Sequence, residues 1–187
     1  MPMKSTLDEN NYSNVQCDNI YVVTFKEIED AEINKDTYDK DFKIICNLHT
    51  INNLVYFLEH LKEFKKEDSF YINVFKDGIQ PLWEDENNKN GCSWSLILKQ
   101  EISQRYFEKL LIRMCTGFFK TFEPTGIVGV NKDGRFKLSI WSKNIPLQNE
   151  HVNAINEIKM ALEVNYNISF QYKKHSKLWV NKEENAV

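Results

Sequence analysis

The two residues with the clearest chemical potential, Trp83 and Glu84, stand side by side in a polar loop. Residues 75–94 read FKDGIQPLWEDENNKNGCSW, and strand-like runs flank them on both sides. An indole face stacks on flat rings and attracts cations. A carboxylate accepts two parallel hydrogen bonds from neighbouring N–H groups. The pair therefore fits a flat, cationic ring that also donates hydrogen bonds along one edge.

N7-methylguanine is such a ring, because methylation at N7 spreads a positive charge over the base. Stacking contributes about 1–3 kcal/mol for each aromatic side chain. A desolvated cation–π contact adds roughly 0.5–2 kcal/mol. Two aromatic side chains and one acid are therefore the smallest set that would hold this base. The sequence around Trp83 supplies one aromatic and the acid, so a second aromatic must come from elsewhere.

Composition narrows the function classes. The chain has 187 residues, which is most simply one domain, and a net charge of −3. That charge argues against a protein that holds nucleic acid by general phosphate neutralisation, so RNA affinity would need a local site. The sequence predicts neither a membrane span nor a secretory signal. Four scattered cysteines without a CxxC pair predict reduced thiols, an intracellular protein, no metal site and no cofactor.

Hydrophobic periodicity predicts the order ββα, ββα, ββα, β. Thr50 is a predicted N-cap for the first helix, and Gly117 a predicted stop for the second. The strands are predicted over residues 20–25, 42–48, 70–75, 94–99, 125–131, 135–141 and 167–173, and the later helices over about 103–116 and 148–162. Short connections favour an α+β fold, a curved antiparallel sheet of about seven to eight strands with three helices packed on its convex face.

The predicted organisation is a flexible N-terminal tail over residues 1–18, one binding domain over residues 19–180 and a flexible C-terminal tail over residues 181–187. The N-terminal segment is polar, Asn-rich and aperiodic, which is typical of a tail. Loops at the face of the sheet away from the helices are the expected place for a site.

The motif Pro81-Leu82-Trp83-Glu84 and the element order resemble the eukaryotic translation initiation factor 4E family, over roughly residues 20–177. The resemblance implies that Trp83 stacks on the N7-methylguanine cap of messenger RNA and that Glu84 reads the guanine edge. Counted back from the helix start at Thr50, the second stacking tryptophan of the family aligns with Tyr38. A tyrosine there offers less stacking area and a weaker ring quadrupole than tryptophan, which predicts lower cap affinity.

The resemblance also implies roles on the predicted hairpin at residues 125–141. Trp141 ends a Leu-Ser-Ile-Trp run similar to the family's Ile-x-Ile-Trp, which implies contact with the N7-methyl group; packing at a strand end is a compatible reading. Lys132, Arg135 and Lys137 are implied to bind phosphate. A one-residue slip in the hairpin would place Asn131, instead of Lys132, at the phosphate position.

Two further features concern phosphate binding. The family often carries a basic residue just before the tryptophan that corresponds to Trp94, and this chain has Ser93 there. A second basic cluster near the C-terminus could reach the phosphates or the next nucleotide, although charged strand ends are usually only solvated. It consists of Lys173, Lys174, His175 and Lys177.

In the family, two helices form an outer surface that binds a helical segment of initiation factor 4G or of 4E-binding proteins. The corresponding positions here are Ile51, Val55, Phe107, Glu108 and Leu111. Val55 stands where the family has a tryptophan anchor, so the surface keeps apolar residues and loses its aromatic hot spot. The predicted function is cap recognition in translation initiation, in the cytoplasm with a nuclear fraction allowed. The alternative is a cap-binding repressor that does not recruit a 4G-type scaffold.

Two other classes of function are alternatives to cap binding. An enzyme would use Glu84, Asp85 and Glu86 as acid/base or metal groups, but three consecutive loop acids cannot all face one ion and no histidine is placed nearby. We therefore predict no catalytic residues. An aromatic cage for another cation, such as methyl-lysine, is compatible with the Trp–Glu pair alone, and the element order disfavours it.

Overall fold

The computed structural model describes residues 15–28, 42–164 and 168–176. Within these ranges the chain forms seven strands and three helices in the predicted order. They are β1 (Gln16–Glu27), β2 (Lys43–Thr50), α1 (Ile51–His60), β3 (Phe70–Lys76), β4 (Cys92–Lys99), α2 (Gln100–Cys115), β5 (Pro124–Lys132), β6 (Arg135–Ser142), α3 (His151–Leu162) and β7 (Gln171–Lys174).

All seven strands belong to one sheet, in the order β2-β1-β3-β5-β6-β4-β7, and every neighbouring pair is antiparallel. The predicted α+β class with an antiparallel sheet and three helices is therefore confirmed. The order has one consequence for the site. Since β5 and β6 lie between β3 and β4, the chain that joins β3 to β4 must cross the ends of both intervening strands.

Side chains alternate between the two faces of the sheet, because successive residues of a strand point to opposite sides. One face packs against the helices and forms the core, with contributions from Val23, Val74, Ile127, Leu138, Leu96 and the helical residues Leu54, Leu110 and Ile158. The cross-strand register assigns a second set of side chains to the other face, which we call the open face: Asn73, Phe75, Val128, Lys137, Ser139, Trp141, Ser93, Ser95 and Lys173.

Local signals set the start of α1 and the end of α2 as predicted, whereas α2 begins at Gln100 and α3 at His151, each three residues from the predicted start. The Thr50 hydroxyl accepts a hydrogen bond from the Asn53 backbone N–H at 3.2 Å, and the Asn53 side chain accepts one from the Thr50 backbone N–H at 3.1 Å. This reciprocal capping box starts α1. After α2, Gly117 adopts a left-handed φ of 63°, which glycine reaches without the steric cost of a Cβ.

The structure corrects the predicted N-terminal tail. β1 begins at Gln16, and Cys17 is buried, so residues 15–18 belong to the folded domain. The Val15 carbonyl accepts a hydrogen bond from the Ile51 backbone N–H at 2.8 Å, which ties this segment to the start of α1. Residues 15–18 are held by pairing with segments far away in the chain, and such pairing produces no hydrophobic periodicity in an Asn-rich sequence. Residues 1–14 and 177–187 lie outside the described residues, so the boundary at residue 180 stays a prediction.

In the described part of the chain, no helix combines the length and apolar character that crossing a membrane would require.

Candidate functional site

The loop at residues 77–91 carries Trp83 and Glu84 across one end of the sheet. It leaves β3 after Lys76 and enters β4 at Cys92, on the far side of β5 and β6. At its start, the Asp77 backbone N–H donates to the Ile20 carbonyl at 2.8 Å. Trp83 and Glu84 are both half-buried. The sheet order therefore brings this pair to the end of the sheet where β6 finishes.

A buried amide organises the loop. Asn88 is fully buried, and its side-chain NH₂ donates to the carbonyls of Gln80 and Leu82, each at 2.9 Å. These two carbonyls lie just before Trp83 in the chain. Because the single Asn88 amide binds both carbonyls, it fixes the backbone just before Trp83 and Glu84 from inside the loop.

The two acids that follow Glu84 have structural partners. The Asp85 carboxylate accepts hydrogen bonds from the backbone N–H groups of Gln80 at 3.0 Å and of Asn87 at 2.8 Å. Glu86 points to solvent and forms an ion pair with Lys89 at 2.6 Å. No group of three or more His, Cys, Asp or Glu side chains in the described ranges could hold a metal ion. Nothing in this arrangement favours the acid/base or metal hypothesis.

Trp141 is half-buried on the open face and is held on two sides. The Phe75 ring meets it edge-on at a centroid distance of 5.4 Å, and the His175 ring lies 4.5 Å away at 52°. Opposite Trp141 on β5 is Gly126, where a Cβ would lie 2.4 Å from the Phe75 ring. Only glycine leaves space for that ring. Packing therefore fixes the orientation of Trp141, and its predicted contact with a methyl group stays a prediction.

His175 does not belong to a solvated basic cluster. It is 1% exposed, its Nδ1 donates to the Asn88 carbonyl at 2.7 Å, and its backbone N–H donates to the Gly91 carbonyl at 3.0 Å. Burial lowers the pKa of the imidazole below its ordinary value, so the ring is neutral at neutral pH. His175 joins the Trp83 loop to Trp141 and does not supply charge. The hypothesis that His175 reaches phosphate is wrong, because the ring is buried and neutral and donates a hydrogen bond to the Trp83 loop.

The β5–β6 hairpin settles the register left open by the sequence. Lys132 pairs directly with Arg135 across a turn formed by Asp133 and Gly134, with φ of 52° and 67°. Asn131 is buried toward the core, and its side-chain NH₂ donates to the carbonyls of Lys65 at 2.8 Å and Asp68 at 2.6 Å. Strand alternation therefore assigns Lys132 and Arg135 to the open face and excludes Asn131 from it.

Lys137 lies on the same face, four residues before Trp141 and thus about 13 Å from it along the strand. It is half-buried, and its pKa is lowered first by burial and then by the nearby positive charge of Lys173. A half-buried ammonium beside a second cation is electrostatically unfavourable. Binding of an anion would relieve that cost, so Lys137 is suited to hold phosphate.

Tyr38 lies outside the described residues, and its predicted stacking stays a prediction. The strand ends that bound its loop are at the far end of the sheet from the Trp83 loop, since Glu27 pairs with Phe70. At the end of that segment, the Phe42 ring meets Tyr71 edge-on at 6.1 Å, and the register puts Tyr71 on the open face. The Phe42 side chain therefore packs on the open face.

The predicted partner surface is only partly accessible. Val55 is 45% exposed, whereas Ile51 and Glu108 are half-buried. Phe107 and Leu111 are completely buried, so their assignment to an outer surface is wrong.

The reason lies in the packing of α2. The Phe107 ring contacts Phe64 at 5.7 Å and Phe136 at 6.4 Å, inside the core. The apolar positions 107, 110, 111 and 114 follow the spacing of a single buried helix face, which the sequence shows and which should have predicted their burial. Among the described residues, Tyr56 on α1 is an exposed aromatic residue on the helical side.

Sequence reasoning missed Asn88 and Gly91 and gave His175 a different role; all three residues support the Trp83 loop from the side of the protein interior. Asn88 and Gly91 stand in a polar loop in which no spacing distinguishes them from their neighbours. Their roles depend on contacts with β6 and β7, which are distant in sequence.

Replacing Asn88 with alanine is expected to lower the free energy of unfolding by about 2–3 kcal/mol, because two part-buried backbone carbonyls lose their donor. Urea unfolding followed by tryptophan fluorescence measures this. The matched control is Asn87→Ala, which removes only the 3.3 Å contact from the side-chain NH₂ to Asp85. Equal losses for the two variants would contradict the role assigned to Asn88.

Comparison with known proteins identifies the family of this chain. The family model "Eukaryotic initiation factor 4E" matches residues 16–187. The translation initiation factor NCBP of Triticum aestivum is 26% identical over 143 residues, 74% of this chain and 61% of that protein. NCBP of Arabidopsis thaliana is 30% identical over 107 residues, 56% of this chain and 48% of that protein. The chain thus matches less than two thirds of the length of these relatives.

Solved structures share the fold. Ascaris suum eIF4E-3 in complex with an m2,2,7G cap superposes with a TM-score of 0.72 at 18% identity, covering 86% of this chain and 91% of that one. Caenorhabditis elegans eIF4E-3 in complex with the 4E-binding protein Mextli gives a TM-score of 0.76 at 17% identity, covering 88% and 95%. Since the family model spans most of the chain and the same architecture recurs, this protein belongs to the eukaryotic initiation factor 4E family.

Proposed function

We propose that this protein binds the N7-methylguanosine 5′ cap of messenger RNA. The observation that carries the proposal is the path of the Trp83 loop. It holds an aromatic side chain and a carboxylate at the end of the sheet where Trp141 lies, and the open face continues from Trp141 to Lys137. The base, the N7-methyl group and the phosphate chain of a cap would contact the Trp83–Glu84 pair, Trp141 and Lys137 in this order.

Each part of the cap has a proposed contact. Trp83 and Tyr38 stack on the two faces of the base, and the Glu84 carboxylate accepts hydrogen bonds from the guanine N1–H and N2–H. Trp141 presents an apolar wall to the N7-methyl group. Because Phe75 and His175 already fix the Trp141 ring, no side-chain entropy is lost when the methyl group docks there.

The phosphates are proposed to follow the open face along β6. Lys137 is the first cation along the strand from Trp141, and Lys132 and Arg135 follow at the hairpin. A few positioned cations are what a chain with a net charge of −3 requires, since its overall field repels nucleic acid.

Fluorescence-quenching titration with N7-methyl-GTP and with GTP tests the proposal. The methylated nucleotide is expected to bind at least about 10-fold more tightly, because the cation–π contribution is roughly 0.5–2 kcal/mol and the apolar wall adds to it. Equal affinities would overturn the cap proposal. Competition by a methyl-lysine peptide in place of the nucleotide would favour the aromatic-cage alternative.

We further propose that the cap-bound protein acts in translation initiation in the cytoplasm, as a binding protein and not an enzyme. Val55 and Tyr56 are exposed at 45% and 64% on α1, which supports a docking surface for a helical segment of a 4G-type scaffold or a 4E-binding protein. Retention on cap resin followed by analysis of co-eluting proteins tests this role. Elution of a 4G-type scaffold supports it, and elution of the protein without a scaffold supports the repressor alternative.

A further inference from the structure

Lys173 reaches the open face beside the proposed cap site. On β4, Ser93 pairs with Trp141 of β6 on one side and with Lys173 of β7 on the other. Directly opposite residues in antiparallel strands point to the same side of the sheet. Trp141, Ser93 and Lys173 therefore form one row across the open face, with the smallest side chain in the middle.

Lys173 and Lys137 act electrostatically on the same region. The charge of Lys173 contributes to the lowered pKa of Lys137, although β4 lies between the strands to which the two lysines belong. On β4, Ser93 and Ser95 are buried and short, and the Ser95 hydroxyl is hydrogen-bonded to that of Ser139 at 2.8 Å. Directly opposite Lys137 is Ile97, which is 54% exposed. The floor between the two cations is thus low and polar at the serines and apolar beside Lys137.

Among the described residues, the ion pairs lie elsewhere. They join Lys76 to Glu123, Lys89 to Glu86, and both Lys109 and Arg113 to Glu163. The charges of Lys137 and Lys173 repel each other, and a polyanion that lies between them would gain from both. Phosphate oxygens are suitable acceptors for lysine ammonium groups.

We propose that Lys173 is a phosphate-binding residue of this site and that it holds the 5′-phosphate chain together with Lys137. The inference rests on the proposed cap-binding function and extends it to a residue on β7. Ser93 brings no charge to this row, and Lys173 supplies a positive charge to it from the neighbouring strand.

The next residue provides a matched control. Lys174 has the same charge and is also exposed, but it pairs with Cys92, whose side chain points to the opposite face of the sheet. A substitution at either position removes one positive charge from β7. Only the substitution at Lys173 removes it from the open face.

The experiment measures dissociation constants of the full chain for N7-methyl-GTP and for N7-methylguanosine, which lacks phosphate. Lys173→Gln is expected to weaken N7-methyl-GTP binding about 3- to 10-fold, as for one partly exposed charged contact. It should leave N7-methylguanosine binding unchanged and reduce the dependence of N7-methyl-GTP affinity on salt. Lys173→Arg should restore most of the affinity, and Lys174→Gln should change it less than 2-fold, roughly the effect of a distant surface charge.

Each other outcome overturns the inference. Equal losses for Lys173→Gln and Lys174→Gln would mean that only the overall field matters. Equal losses for the nucleotide and the nucleoside would mean that the substitution disturbs the base site. If the unmodified protein binds neither N7-methylated ligand, the proposed cap function fails first, so the two failures are distinguishable.

Discussion

Glutamine in place of Glu84 is expected to weaken N7-methyl-GTP binding about 10- to 150-fold. A carboxylate offers acceptors on both oxygens, whereas an amide offers one acceptor and points its NH₂ group at a donor of the guanine edge. Hydrogen bonds to a charged group contribute roughly 1.5–3 kcal/mol each, and one of them is lost. Tryptophan-fluorescence titration of the variant against N7-methyl-GTP measures the effect.

Glu86→Gln is the control, because Glu86 is exposed and its partner in the loop is Lys89. This variant loses the same charge two residues away and should bind like the unmodified protein. The contribution of stacking is tested in parallel with Trp83→Ala, which is expected to cost about 1–3 kcal/mol of binding free energy. Unchanged affinity for Glu84→Gln would remove Glu84 from the site and leave the cap proposal without its means of reading the base edge.

Alanine in place of Gly91 is expected to cost more than about 3 kcal/mol of folding free energy. A Cβ at this buried position would lie 1.8 Å from the Ser142 carbonyl oxygen and 3.0 Å from that of Lys143. Both obstacles are backbone atoms, so the strand end itself must move. The backbone N–H of Gly91 donates to the Asn88 carbonyl at 2.8 Å. Displacement should therefore disorder the Trp83 loop and abolish cap binding as well.

Urea unfolding and nucleotide titration of the same preparation measure both effects. The matched control is Gly78→Ala in the same loop, where nothing lies within 4 Å of the added Cβ and φ is +79°. Left-handed backbone strain alone should cost about 1–2 kcal/mol there. If Gly91→Ala is no more destabilising than Gly78→Ala, the close approach of Gly91 to β6 does not limit the structure.

Much of the fold could be predicted because its signals are local. Alternating β-branched and aromatic residues marked the strands, and the order of elements was correct throughout. Thr50 starts α1 through its own side chain, and Gly117 ends α2 through its own φ angle. Such features depend on residues within one turn of each other, so the sequence contains them directly.

The wrong predictions concern residues that are buried against distant partners. The resemblance predicts Phe107 and Leu111 on an outer surface, although their helical spacing indicates the core face that Phe64 and Phe136 complete. The predicted N-terminal tail is too long because the pairing of Gln16 with Thr50 involves two segments far apart in the chain. The burial of Phe107 and Leu111 can be recognised from α2 alone, whereas the pairing of Gln16 with Thr50 cannot be recognised from one segment.

The residue types specify the chemistry of the site: an indole beside a carboxylate in one loop, a second indole at a strand end, and lysines on a hairpin. How these groups meet depends on the fold. The strand order β3-β5-β6-β4 makes the Trp83 loop cross the end of the sheet where Trp141 lies, and the β4–β7 register places Lys173, and not Lys174, on the open face. Strand order and register are set by hydrogen bonds and packing between segments remote in sequence, and a shift of one residue would turn every side chain to the other face.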